Sequence, residues 1–70
     1  MEIVLNGQPR TVSIDSQATT LEALITVLGM KSDRIAVERN GEIVRRTEWA
    51  ATSVRSGDRL EIVHFVGGGA

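Results

Sequence analysis

The chain has 70 residues, no cysteine, one histidine and a formal net charge of −1. This length allows a single small domain with one core, so a deep catalytic pocket is not expected, and the residue counts exclude a disulfide framework, cysteine nucleophile chemistry and a structural zinc site. The slightly acidic charge balance gives no electrostatic reason to expect a nucleic-acid partner.

The N-terminal segment has the pattern of a β-hairpin. Apolar residues alternate along Met1–Leu5, Asn6-Gly7 supplies a turn that tolerates positive φ, and the alternation resumes at Val12 and Ile14. Pro9 lies at the start of the second strand, where its missing N–H does little harm.

The next segment predicts one short amphipathic helix. After the polar stretch Asp15–Ala18, Thr19 and Glu22 have the T-x-x-E spacing of a capping box, and Gly29 is placed to end the helix. The apolar positions in between share one helical face: Leu21, Leu24, Ile25 and Leu28.

The C-terminal half predicts three further strands. Ile35 and Val37 mark the third, Asn40-Gly41 predicts a tight turn, and Glu42–Val44 returns as the fourth. Arg45–Ala51 is too short and charged for a long helix, so we expect a single helical or 3₁₀ turn that packs Trp49 against the core. Leu60–Val66, after the turn Ser56–Asp58, is the longest apolar strand.

The element order is strand, strand, helix, strand, strand, strand, which predicts an α+β fold with one helix packed on one face of a mixed sheet. We expect the last strand in the middle of the sheet, parallel to the first, which is the β-grasp or ubiquitin-like arrangement. Residues 1–66 would form this domain, and residues 67–70 a flexible C-terminal tail.

The tail is the most informative feature for function. Gly67, Gly68 and Gly69 follow the apolar strand directly and Ala70 comes last. Glycines contribute no side chain to a core and cost entropy to order, so stability alone does not explain them. A backbone without Cβ atoms can pass through a narrow channel, which suggests that another protein's active site admits this tail.

Nearly the whole chain resembles the ThiS family, the bacterial sulfur carriers of thiamine thiazole biosynthesis. The resemblance rests on N-G-Q-P-R after the first strand, on T-L-E-A-L at the helix start, and most specifically on V-E-R-N-G-E-I-V, the nearby E-W and the ending E-I-V-H-F-V-G-G-G. It implies a β-grasp protein that is a co-substrate and not an enzyme.

The resemblance also implies the chemistry. A partner enzyme, ThiF, adenylates the terminal glycine carboxylate with ATP, the acyl-adenylate is converted to a thiocarboxylate, and the sulfur passes to the thiazole synthase ThiG. Sulfur would attach at Gly69, and the chain would need no bound cofactor, metal or catalytic residue of its own. A carboxylate oxygen must become part of a leaving group before sulfur can replace it, which agrees with adenylation.

Ala70 departs from the family pattern, which ends at glycine. One added residue moves the terminal carboxylate by up to about 3.6 Å and adds a methyl group, so the chain as written should be a poor adenylation substrate. Three explanations stay open: a peptidase removes Ala70, the residue derives from cloning, or the protein is a relative that does not undergo this chemistry.

We expect a partner docking surface on the sheet face away from the helix, formed by Val4, Val63 and Phe65. The alternative for Phe65 is that it folds over the sheet edge as part of the core. His64 is expected to be a partly buried residue at a strand end, and Trp49 a core residue instead of a recognition anchor.

Charged residues carry weaker signals. Arg39, Arg45 and Arg46 form either a basic patch for an acidic partner or an ordinary solvated surface. The three aspartates next to turns are expected to accept hydrogen bonds from backbone N–H groups and not to bind metal: Asp15, Asp33 and Asp58.

Two alternative functions stay open. A carrier for another pathway, such as molybdopterin, tRNA thiolation or cysteine synthesis, would carry the same thiocarboxylate to a different acceptor. A non-covalent β-grasp module that binds RNA or protein would not need Gly68 and Gly69 at all. With no apolar stretch near the roughly 20 residues that cross a bilayer and no leader before the first strand, we expect a soluble, cytoplasmic protein that is a monomer on its own.

Overall fold

The computed structural model of the chain describes residues 1–65. The predicted tail, Gly67–Ala70, and the end of the predicted last strand at Val66 lie outside the described residues. A five-stranded sheet, a two-stranded sheet and an α-helix make up most of the described chain. The strands are β1 Glu2–Leu5, β2 Gln8–Thr11, β3 Ala18–Thr20, β4 Ile35–Arg39, β5 Glu42–Val44, β6 Ser53–Arg55 and β7 Arg59–His64.

The main sheet has the order β2-β1-β7-β4-β5. The last strand, β7, therefore lies in the middle, parallel to β1 and antiparallel to β4. With helix α1, Leu21–Leu28, on one face, this is the predicted β-grasp arrangement, and the fold class is confirmed.

Both Asn-Gly pairs form the predicted two-residue hairpin turns. The strands close at Leu5 opposite Gln8 and at Arg39 opposite Glu42. Asn6 and Asn40 have φ of 50° and 51°, and the glycine that follows each also has positive φ. Positive φ at both central residues is the type I′ turn, whose twist matches that of the flanking strands.

Helix α1 starts one residue later than the capping-box pattern predicts. Thr20 is the N-cap, and its Oγ1 accepts a hydrogen bond from the Ala23 N–H at 3.1 Å. Because Thr20 and not Thr19 caps the helix, Thr19 and Glu22 do not form the predicted box. Gly29 ends the helix as predicted, with φ of 76°. None of the helices within residues 1–65 is long and apolar enough to cross a membrane.

A second sheet and the end of β2 differ from the sequence prediction. Strands β3 and β6 pair antiparallel as a second sheet that the sequence did not predict. Strand β2 ends at Thr11, before the predicted Val12 and Ile14. Val12 is nevertheless buried, and its carbonyl oxygen and that of Ile14 accept hydrogen bonds from the N-terminal amine of Met1.

The core lies between the main sheet and α1. Its buried members are apolar: Ile3, Leu5, Val12, Leu21, Leu24, Ile25, Ile35, Val37, Trp49, Val54, Leu60 and Ile62. Two short 3₁₀ helices, Ser32–Arg34 and Arg46–Ala51, complete the described chain. The second is the predicted short turn, and it buries Trp49, whose Nε1 donates a hydrogen bond to the Val44 carbonyl oxygen at 3.0 Å.

Candidate docking face and tail base

The final strand provides the base from which the predicted tail extends. Leu60 and Ile62 are buried under α1, and β4 pairs with β7 as far as Ile35 opposite His64. The Phe65 N–H continues this pairing with a 2.8 Å hydrogen bond to the Arg34 carbonyl oxygen. The chain is thus held up to two residues before Gly67. The predicted sulfur attachment at Gly69 and the channel-entering residues Gly67 and Gly68 lie outside the described residues.

The predicted docking residues are not all neighbours. Val63 and Phe65 are 61% and 55% exposed, and Val63 lies opposite Ala36 on β4. Val4 is half-buried and lies opposite Arg59, four residues before Val63 along β7. At about 3.3 Å per residue this separates Val4 from Val63 by roughly 13 Å. Docking by these residues therefore stays a prediction, for which Val63 and Phe65 are better exposed than Val4.

A more exposed apolar side chain, Ile43 on β5, was missed by the sequence analysis. Ile43 is 74% exposed and lies opposite Glu38, on the face of the sheet that carries Val63. Its position could have been inferred from alternation, because its neighbour Val44 lies opposite the buried Val37. We call the outer face formed by Ala36, Ile43 and Val63 the apolar face. Phe65 follows the end of β7 and lines a shallow cavity with Gly29, Met30 and His64 instead.

Two carboxylates lie within this outer side of the sheet. Glu38 and Glu61 are directly opposite each other on β4 and β7. Like charges at such positions destabilise a sheet, so folding stability does not account for the pair. A partner that covers this side of the sheet would therefore need apolar groups to contact the apolar face. It would also need hydrogen-bond donors or cations to contact the two carboxylates.

Asp58 organises the end of the sheet farthest from the tail. Its carboxylate accepts hydrogen bonds from the Arg55 N–H at 2.9 Å, Arg39 Nε at 3.3 Å and Asn40 Nδ2 at 3.4 Å. Burial acts to raise the pKa of Asp58, but the three hydrogen bonds and the charge of Arg39 outweigh it and lower the pKa below 3.8. The predicted turn-capping role is thus confirmed for Asp58.

The predicted histidine and arginine candidates do not form a site in the structure. His64 is exposed, not partly buried as predicted, because it lies beyond the end of α1 beside Gly29 and Met30. Arg39 is ion-paired with Asp58 and lies at the opposite end of β5 from Arg45, so the arginines do not form one patch. Within residues 1–65 no cluster of His, Cys, Asp or Glu could hold a metal ion.

Comparison with known proteins decides the family. The ThiS family model matches residues 3–69, which include both the sheet and the three glycines. The chain belongs to the ThiS family. It is 34% identical over 65 residues to the sulfur carrier protein ThiS of Bacillus subtilis, covering 93% of this chain and 96% of that one.

A solved ThiS structure and a longer relative add to this assignment. The crystal structure of the thiamine biosynthesis protein ThiS from Geobacter metallireducens matches with a TM-score of 0.84 and 34% identity, covering 99% of this chain and 100% of that one. A thiazole synthase of Paramagnetospirillum magneticum is 47% identical over 70 residues, which are 100% of this chain. The chain spans only 21% of the length of that relative.

Proposed function

We propose that this protein is a sulfur carrier for thiamine thiazole synthesis, acted on by partner enzymes and not itself a catalyst. The observation that supports this most directly is the ThiS family match through residue 69, since it extends over the glycines that the chemistry would use. The likeness to ThiS of Bacillus subtilis over most of both chains supports the same function.

The proposed reaction starts at the carboxylate of Gly69 after a peptidase has removed Ala70. A ThiF-like enzyme binds ATP, the carboxylate oxygen attacks the α-phosphorus, and pyrophosphate leaves. Hydrosulfide then attacks the carbonyl carbon of the acyl-adenylate, AMP leaves, and loss of the S–H proton gives the thiocarboxylate. All of these groups except the carboxylate belong to the partner, which suits a domain too small for a deep pocket. Because this chemistry uses ATP, we place the protein in the cytoplasm.

The proposed sulfur acceptor is a ThiG-like thiazole synthase. The match to the thiazole synthase of Paramagnetospirillum magneticum supports this choice, because a segment similar to this entire chain forms about a fifth of that protein. A carrier for molybdopterin, tRNA thiolation or cysteine synthesis would be loaded in the same way but would not support thiazole formation.

Intact mass spectrometry tests the proposal on three forms of the chain: one that ends at Gly69, one that retains Ala70 and one that lacks Gly68 and Gly69. Each is incubated with a ThiF-like enzyme, ATP and a sulfur source, and then with a ThiG-like synthase. We expect the form ending at Gly69 alone to exchange one oxygen for sulfur and to support thiazole formation.

Two results would contradict this proposal. If the form ending at Gly69 never acquires sulfur, the carrier function is wrong. If it acquires sulfur but supplies another acceptor and not the thiazole synthase, the carrier chemistry holds and the pathway is wrong. The form that retains Ala70 serves as the matched control, because it has the same fold and differs by one terminal residue.

A further inference from the structure

Asn6 makes an unusual set of contacts with the final strand. Its backbone N–H donates a hydrogen bond to the Leu60 carbonyl oxygen at 2.8 Å. Its side-chain Oδ1 accepts from the Ile62 N–H at 2.7 Å, and its Nδ2 donates to the Ile62 carbonyl oxygen at 3.3 Å. One amide side chain therefore binds both backbone groups of a residue 56 positions away.

These contacts take the place of backbone pairing beyond the end of β1, which stops before it reaches Ile62. The ladder between β1 and β7 includes only Val4 opposite Arg59 and Leu5 opposite Leu60. After Leu5 the chain turns away through Asn6-Gly7, so no backbone of β1 reaches Ile62. The primary amide of Asn6 has a donor and an acceptor side by side, as an adjacent strand would, and it extends the pairing of β7 by two residues toward the tail.

We propose that Asn6 is a positioning residue for the sulfur-carrying end of the chain. This inference rests on the proposed function. Asn6 holds the β1 side of β7 at Ile62 while β4 holds the other side, so the segment that leads to Gly69 starts from a fixed point and direction. Without Asn6, two-sided pairing would end at Leu60, nine residues before Gly69 instead of seven.

The physical benefit is a smaller range of positions for the reacting carboxylate. Pairing with β4 as far as His64 and the Phe65 hydrogen bond to Arg34 do not involve Asn6. Loss of Asn6 therefore does not lengthen the free segment; it removes the support on one side of β7 and lets the end of the strand vary in direction. A reaction in which a carboxylate must align with a phosphate is sensitive to such spreading. Loss of Asn6 should slow the adenylation step and leave docking unchanged, because Asn6 lies outside the apolar face.

The other Asn-Gly turn supplies a matched control. Asn40 has the same left-handed conformation, and its Oδ1 accepts from the Arg59 N–H at 2.9 Å while its Nδ2 donates to Asp58. It therefore also binds β7 through its side chain, but at the start of the strand, away from the tail. Replacing either asparagine by glycine keeps a residue suited to positive φ and removes only the side-chain contacts.

The experiment compares Asn6→Gly and Asn40→Gly in the form that ends at Gly69. Amide hydrogen exchange should be about fivefold faster at Ile62 in Asn6→Gly only, because the Ile62 N–H loses its hydrogen bond to Asn6 Oδ1. With a ThiF-like enzyme and ATP, Asn6→Gly should lower kcat for adenylation about fivefold and leave KM for the carrier unchanged, while Asn40→Gly keeps both values.

The outcomes separate this inference from the proposed function. If the unsubstituted form is not adenylated, the proposed function fails, and the exchange rates still decide whether Asn6 holds β7. Equal exchange or equal kcat in the two variants would overturn the positioning role. Should Asn6→Gly fail to fold, Asn6→Asp tests the same point, because it keeps an acceptor for the Ile62 N–H and loses the donor to its carbonyl oxygen.

Discussion

The carboxylate of Asp58 should contribute to stability in a way that depends on pH, and Asp58→Asn tests this. The substitution preserves size and one acceptor oxygen but removes the charge from the three hydrogen bonds and from the pair with Arg39. Hydrogen bonds to charged groups are worth about 1.5–3 kcal/mol, against about 0.5–1.5 kcal/mol for neutral ones. Arg39 keeps 32% of its side chain exposed, so solvent screens part of the ion pair.

From these contributions we expect Asp58→Asn to lower the free energy of unfolding at pH 7 by about 1.5 kcal/mol. For a domain of this size that corresponds to a fall in Tm of roughly 6–12 °C. Because folding lowers the pKa of Asp58, the stabilisation is complete well above the ordinary value of 3.8 and is lost as pH falls through the lower folded value. The difference between the two proteins should therefore shrink in acid.

Urea unfolding at pH 7 and at pH 3 measures this difference. Asp15→Asn is the control, because Asp15 is exposed and the same charge is removed there. Each variant differs from the unsubstituted protein at a single carboxylate, so the comparison isolates the charge of Asp58. A difference between the unsubstituted protein and Asp58→Asn that is the same at both pH values would refute the reasoning, as would an equal effect of Asp15→Asn.

Two further predictions concern the core and the predicted docking residues. Trp49→Phe should lower the free energy of unfolding by about 2 kcal/mol, because it leaves the Val44 carbonyl oxygen without its N–H donor and opens space in the core. Urea unfolding measures this change, and a value below about 0.5 kcal/mol would contradict the packing argument. Val63→Lys and Phe65→Ser should each raise KM for a ThiF-like enzyme and leave stability within about 0.5 kcal/mol. Val27→Lys, at an exposed apolar position on α1, is the control, and an equal rise in KM there would argue against docking by the sheet.

The features that the sequence predicted correctly have short-range causes. Asn-Gly pairs encode tight hairpins within four residues, and a glycine after an apolar helical stripe encodes its end. The single tryptophan in a domain poor in aromatics indicated a core position, which the 2% exposure of Trp49 confirms. The central place of β7 followed from its length and apolar content.

The features that the sequence did not predict depend on long-range pairing or on near-equal local choices. Thr19 and Thr20 offer similar hydroxyls for a helix N-cap, and both pair with β6. Thr20 is the cap because β3 ends there and α1 begins at the next residue. Strands β3 and β6 have three residues each, too few for a recognisable alternation. The contacts of Asn6 with Ile62 could not be inferred, because they depend on the register between the first strand and the last.

The central position of β7 also affects the order in which the protein can be completed during synthesis. The ribosome makes β7 after every other described element, yet both halves of the main sheet pair through it. A nascent chain that ends before Arg59 therefore holds two separate hairpins with no strand to join them, and pairing between distant segments must wait for the last one. Under the proposed function, a molecule cannot offer its reactive terminus to an enzyme until the strand that assembles the whole sheet has been made.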